Sequence, residues 1–354
     1  MRLTSALRGV AIVAAIALPS ITYVQGAHAQ SVADFYKGKN VELLIGYSGG
    51  GGYDVYARLL ARHLGRHIPG NPTIVARNMP GAGSLVLANW LYNVAPKDGS
   101  AIGMIGRGTP FDPMLGIDAA KFDPTKYLWL GSMNNEVSVC VSWHTSGITK
   151  YEQLLKQELV VGGTGPSADT DQFPRITNSV LGTKFRIISG YPGGNDISLA
   201  MERGEVGGRC GWSWSSVIST RMNWFKEKKI HVLMQLALEK HDDLPNVPLV
   251  VDLAKNDEQR AILRLIFARQ ALGRPFLAPP GVPADRAAAL QKAFMDTMKD
   301  KTFLAEADKA KLEITPLNGA AVEKIIRDSA ATNPAVLKKA AAMVQVDAPK
   351  KKKK

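Results

Sequence analysis

Between residues 41 and 105 the apolar and polar positions follow one plan twice. Val41, Leu43, Leu44 and Ile45 form a run with the length of a buried strand, glycines fill 49–52, and Val55, Leu59, Leu60, Leu64 and Ile68 then recur at helical spacing across 53–68. The unit repeats with a strand at 72–76, a turn at 77–84 containing Pro80, Gly81 and Gly83, and a helix carrying Leu85, Leu87, Ala88, Leu91 and Tyr92. Pro96-Lys97-Asp98-Gly99 is a tight turn before a third strand at 100–105. This alternation predicts a parallel sheet covered by helices on both faces. Ligands of such sheets sit beyond the carboxyl ends of the strands, where both glycine turns lie.

The middle of the chain predicts a second lobe. A strand at 136–143 is expected to cross into it. Thr149-Lys150-Tyr151-Glu152 resembles a capping box that opens a short helix to about 157. A strand at 159–161 leads to a turn with Gly162, Gly163, Thr164, Gly165, Ser167, Asp169 and Thr170, and then to a helix through 181. A strand at 186–189 runs into Gly190-Tyr191-Pro192-Gly193-Gly194 and a helix at 197–203. The strand at 206–214 carries Arg209, Trp212 and Trp214 on one face if no bulge intervenes. After a strand at 230–236 and a helix at 258–272, residues 274–278 are expected to cross back. Helices at 285–299, 303–312 and 320–330 then pack on the first lobe, and Pro334 kinks or restarts the last of them. The first lobe is therefore discontinuous, at 30–136 and 273–346, with 137–272 as the second.

The ends alter this picture only in where the protein acts. Met1-Arg2, Arg8, an apolar run at 10–18 and Ala27-His28-Ala29 describe a secretory signal peptide at 1–29, cut before Gln30. We expect an exported, periplasmic and monomeric protein, with a disordered lysine tail at 347–354. The formal charge of +13 falls to +6 once Arg2, Arg8 and the lysines at 350–354 are set aside. That excess suits an anionic ligand and does not argue for nucleic acid. The residues favour two buried free thiols at Cys140 and Cys210 and leave a bridge open.

A strand, a glycine turn and a helix start in that order offer free backbone N–H groups at the positive end of a helix, which suits a carboxylate or phosphate. The 49–54 turn lacks the Gly-Lys-Ser/Thr of a nucleoside-triphosphate loop and has Asp54 where a dinucleotide fingerprint needs glycine. Gly163-x-Gly165-x-x-Ala168 matches that fingerprint nominally, but no acidic residue follows to hold a ribose. Gly46-Tyr47-Ser48-Gly49-Gly50 fits a nucleophile elbow, yet almost no chain precedes it to build an oxyanion hole. His63 and His67 share a helix face with Arg62 and Arg66, which predicts a solvated basic face, and His144, His231 and His241 have no ligand spacing. We expect no metal and no cofactor.

These residues carry a family resemblance. Gly49-Gly50-Gly51-Gly52-Tyr53-Asp54 resembles the glycine-aspartate signature of the periplasmic solute-binding receptors of tripartite tricarboxylate transporters, the Bug family. Asn78-x-Pro80-Gly81-Ala82-Gly83, Pro96-Lys97-Asp98-Gly99, Tyr191-Pro192-Gly193-Gly194 with Gly204-Glu205-Val206, Asn246-Val247-Pro248 and Ala278-Pro279-Pro280-Gly281-Val282-Pro283 follow in the family's order. Two departures stand out: Gly46-Tyr47-Ser48 replaces a proline-alanine entry to the glycines, and Gly207-Gly208-Arg209 follows where an aspartate is usual. The resemblance implies an α/β, two-lobed periplasmic-binding-protein fold. Each lobe is a mixed sheet flanked by helices, and the hinge is made of two crossing strands. It also implies a small organic acid as ligand and the large and small membrane subunits of an ion-gradient-driven transporter as partners.

The candidate ligand-binding residues are Tyr47, Ser48, Gly50, Gly51, Gly52, Tyr53, Asp54, Gly83 and Arg107 on the first lobe. On the second they are Thr164, Ser167, Asp169, Thr170, Tyr191, Pro192, Gly193, Arg209 and Trp212. The 48–53 amides would hold one carboxylate and the 167–170 and 191–194 turns of the other lobe the far end, with Arg107 or Arg209 at a second anionic end. Asp54 caps the first helix or orders water. Tyr47, Tyr191, Trp212 and Trp214 would sandwich a flat ligand body. The alternatives are ligand presentation to a membrane sensor kinase and a periplasmic hydrolase using Ser48.

Overall fold

The structure, a computed structural model, describes residues 31–345; the expected signal peptide and lysine tail lie outside the described residues. In chain order the strands are β1 (Asn40–Ile45), β2 (Thr73–Asn78), β3 (Ala101–Met104), β4 (Leu128–Ser132), β5 (Ser138–Trp143), β6 (Leu159–Gly163), β7 (Phe185–Ser189), β8 (Gly208–Ser213), β9 (Ile230–Leu236), β10 (Pro275–Ala278) and β11 (Leu317–Asn318). They form two mixed sheets, ordered β11-β4-β10-β3-β1-β2 and β7-β6-β8-β5-β9.

The repeated apolar plan produces the parallel half of the first sheet. β1 pairs in parallel with β2 and β3, and helices Gly52–Leu64 and Leu85–Asn93 are the crossovers that parallel pairing requires. Both faces of β1 are covered. Leu43 and Ile45 pack with Leu59 and Leu60, while Leu44 joins the cluster of Leu87 and Leu91 on the other side. β10 runs antiparallel between β3 and β4, and β11 lies antiparallel on β4. In the second sheet β6 pairs in parallel with β7 and β8, and β5 runs antiparallel to β8 and β9.

The crossings differ from the expected strands. β5 lies wholly in the second sheet and β10 wholly in the first, so the chain passes between sheets at 133–137 and 268–274. These segments hold each other in antiparallel fashion: Met133 N donates to Arg274 O at 3.0 Å, Gly273 N to Asn134 O at 2.9 Å, and Glu136 N to Gln270 O at 2.9 Å. Between them lies the buried ion pair Arg274 Nη1–Glu136 Oε2 at 3.1 Å. We propose that the lobes divide here, close to the boundaries read from the sequence. The helix Pro334–Val344 is an exception. It restarts after Pro334, capped by Asn333, and packs on helices Asp169–Leu181 and Asp257–Phe267 of the second lobe.

Three local expectations are corrected. Cys140 and Cys210 are not free thiols: they face each other across the β5–β8 pair and are bridged. The β8 strand contains a bulge at Gly211, whose φ of +79° suits glycine. Arg209 then pairs opposite Val141 and Trp212 opposite Val139, on the same face, whereas Trp214 leaves the sheet to begin helix Trp214–Lys226. The histidine face of the first long helix is ion-paired instead of solvated. Arg62 and His63 meet Glu306 at 2.5 and 2.6 Å, and Arg66 and His67 meet Asp300, both at 2.9 Å.

Candidate ligand-binding site

The first glycine turn is shaped by Asp54, one turn into the helix it opens. Its Oδ2 accepts from Gly50 N at 3.0 Å, and its Oδ1 accepts from Arg58 Nε at 2.9 Å and Asn78 Nδ2 at 2.8 Å. Burial opposes ionisation, yet these donors hold the carboxyl below its usual range. Asp54 therefore closes the turn on itself, and its carboxylate is spent inside the lobe. The Tyr47 ring stacks on Tyr53 with centroids 4.5 Å apart, and its hydroxyl donates to Gly83 O at 3.3 Å.

Arg107, at the carboxyl end of β3, braces the two lobes. Its backbone N and Nε donate to Tyr53 Oη at 3.2 and 3.3 Å, and Nε lies 3.2 Å from Asp169 Oδ2. Nη1 donates to Gln270 Oε1 at 2.7 Å, and Nη2 to Ser213 Oγ. Burial opposes the charge, but Tyr53, Asp169 and Glu136 hold the guanidinium firmly protonated. Asp169 also lies 3.8 Å from Arg269 Nη1.

Arg209 is different. Its Nη1 donates to Gly194 O at 2.9 Å, and its guanidinium lies 4.7 Å over the Trp212 ring. Among the described residues no carboxylate pairs with it, and its buried Nε has no partner. Burial pushes its pKa down to about 9; Tyr47 works against that shift, while Arg221, Arg274 and Arg107 add to it. The helices Gly52–Leu64 and Gly194–Glu202 begin beside it, close enough that a Cβ added to Gly51 would lie 3.9 Å from the Gly194 amide nitrogen. Two helix N-termini and an unpaired guanidinium thus share one place, an arrangement that favours an anion.

The space between these groups is a cavity of about 40 Å³. Of the sequence candidates, Tyr47, Gly51, Gly52, Tyr53, Arg107, Thr164, Asp169, Thr170 and Arg209 line it. The others are placed elsewhere. Ser48 latches the rim, with Oγ donating to Asp196 Oδ2 at 2.5 Å and N to Pro192 O at 3.3 Å. Gly50 spends its amide on Asp54, Gly83 packs its backbone against Ala168, and Ser167 is buried. A Cβ on Gly193 would come within 2.2 Å of Ser48 Oγ, so this position on the second lobe needs glycine for the rim to meet. Tyr191 and Pro192 line an outer groove with Pro80, Gly81 and Ala82. Trp212 is core beneath Arg209, and Trp214 Nε1 donates to Asp243 at 3.0 Å, so the aromatic sandwich is not assembled around this cavity. Gly194, at the end of the 191–194 turn, lines the cavity too, and sequence reasoning missed Gly211, Ser213 and Ser216. Ser213 and Ser216 sit where a strand gives way to a helix, a signal that was available.

No protein-family model matches the chain. A curated protein of Cupriavidus necator, the UPF0065 protein in gbd 5' region, is 38% identical over 77 residues, spanning 22% of this chain and only 23% of that protein's length. Among solved structures, the periplasmic binding protein BugD superposes with a TM-score of 0.70 at 17% identity, covering 86% of this chain and 98% of its own. MatC from Rhodopseudomonas palustris with bound malate gives 0.65 at 16% identity, covering 84% and 99%. An R. palustris protein with adipate gives 0.67 at 15%, covering 86% and 97%. The chain has the two-lobed periplasmic-binding-protein fold seen in BugD, as its glycine motifs implied.

Proposed function

We propose that the chain is a Bug-type extracytoplasmic solute-binding protein. It captures a small organic anion between its lobes and delivers it to the membrane subunits of a tripartite tricarboxylate-type transporter. The observation that carries this reading is Arg209, a half-buried cation with no carboxylate partner among the described residues and a buried, unpartnered Nε, set between two helix N-termini. Burying an uncompensated charge is costly, and a ligand carboxylate removes the cost. Hydrogen bonds to charged groups contribute about 1.5–3 kcal/mol each, so a few of them reach roughly micromolar affinity after ordering costs. Neighbours of the same fold carry malate and adipate, which supports an organic acid here. The hydrolase alternative needs Ser48 open to a substrate, and its hydroxyl and amide are both engaged at the rim, outside the cavity lining, by Asp196 and Pro192. A thermal-shift screen of organic acids on the protein beginning at Gln30 tests the proposal. Stabilisation by carboxylates and not by neutral analogues is expected; indifference to every acid would count against it.

A further inference from the structure

The cavity's size and charge narrow the ligand further, on the reading that the cleft binds an organic anion. At about 40 Å³ it offers room on the order of three waters. Its first-lobe wall is the Tyr47–Tyr53 stack, and Tyr47 is held from both sides: its hydroxyl donates to Gly83 O, and Gly106 packs against that same oxygen. The opposite lobe cannot retreat without releasing the Ser48–Asp196 and Ser48–Pro192 bonds at the rim. A longer ligand must therefore displace the Tyr47 ring or hold the rim open.

The charges add a second restriction. Asp169 meets Arg107, and Glu136 meets Arg274, which leaves Arg209 as the cavity-lining guanidinium without a counter-charge among the described residues. One cation calls for one anionic group. A second carboxylate on the ligand would lie in the same small space as Asp169, with no further unpaired cation among the residues that line the cavity.

We propose that the ligand is a short monocarboxylate of about two to four carbons, and that Tyr47 is the residue that sets its length. Tyr47 fills with an aromatic ring a part of the cavity wall that a smaller residue would leave open.

The test is calorimetric titration of acetate, lactate, malate and adipate into wild type, Tyr47→Phe and Tyr47→Ala. Wild type and Tyr47→Phe are expected to bind acetate or lactate at least about tenfold more tightly than malate or adipate. Tyr47→Ala should raise adipate affinity by about tenfold or more and weaken the short acids. The wild-type ranking decides the matter even where Tyr47→Ala does not fold. Malate or adipate binding wild type as tightly as lactate would overturn the inference and leave the anion-binding reading standing. A folded Tyr47→Ala that keeps the wild-type ranking would also overturn it. If none of the four acids binds, and the wider acid screen is silent too, both fall together.

Discussion

Arg209 is the residue at which charge, burial and position disagree most. A guanidinium in the interior ordinarily finds a carboxylate, as Arg274 finds Glu136 and Arg107 finds Asp169. Arg209 has instead one carbonyl and an indole face. Replacing it with methionine keeps much of the bulk and removes the unpaired charge. Urea unfolding of unliganded Arg209→Met should give a stability equal to wild type or higher by about 1 kcal/mol or more; a loss of that size would mark Arg209 as structural. Asp112 makes a separate prediction. It sits on the first lobe with Oδ1 accepting from Gln172 Nε2 of the second at 3.1 Å, and burial pushes its carboxyl up to about 7 against Ser167, Arg269 and Gln172. An unfolded aspartate titrates near 3.9, so from about pH 4 to 7 the native state keeps a proton the unfolded state has lost. This group's contribution to stability therefore falls as pH rises through that window and is level above it. Asp112→Asn should gain on wild type in urea unfolding between about pH 4.5 and 7.5, and an unchanged difference would refute the assignment. Arg209 could be noticed in the sequence because it departs from a pattern. Asp112 could not, since its environment is made by a helix sixty positions away.

At the scale of elements, the strands and glycine turns were legible because each is local. β1 announces itself as an apolar run of strand length, and four glycines followed by helical spacing leave few other folds. The bulge at Gly211 was not legible, because a glycine within Cys210-Gly211-Trp212 looks like any strand glycine until the partner strand is known. The crossings were placed a few residues off for a similar reason. β5 and β10 are apolar enough to span a hinge, but the backbone leaves the sheets in the polar segments beside them, where Asn134 and Gln270 carry the pairing. The bridge between Cys140 and Cys210 likewise follows from strand register, which a separation of 70 residues conceals. Turn chemistry makes its own prediction. Gly193 has an extended φ of −169°, so alanine strains nothing locally, but its Cβ meets Ser48 of the other lobe. Gly193→Ala should leave thermal stability within about 1 kcal/mol of wild type while weakening ligand affinity about tenfold. In small-angle scattering with ligand it should stay more extended than wild type, and a fully compact liganded form would contradict this.

At the scale of the molecule, the two lobes meet through polar contacts around a charged centre and, to one side of it, through a shared apolar cluster in which Phe111 and Leu115 of the first join Phe173 and Ile176 of the second. Arg107 reaches from the first lobe to Asp169 and Ser213 of the second, Ser48 to Asp196, and Gln172 to Asp112. On opening, water can replace the hydrogen bonds among these, whereas the charge at the centre calls for a counter-ion. Closure therefore depends on what occupies the centre, where Arg209 and the ends of two helices need negative charge. The most direct measurement is calorimetric titration of the acid that stabilises the protein most into wild type and Arg209→Met, side by side. The account predicts roughly micromolar binding to wild type and a loss of about ten- to a hundredfold in the variant. Equal affinities for the two proteins would contradict it.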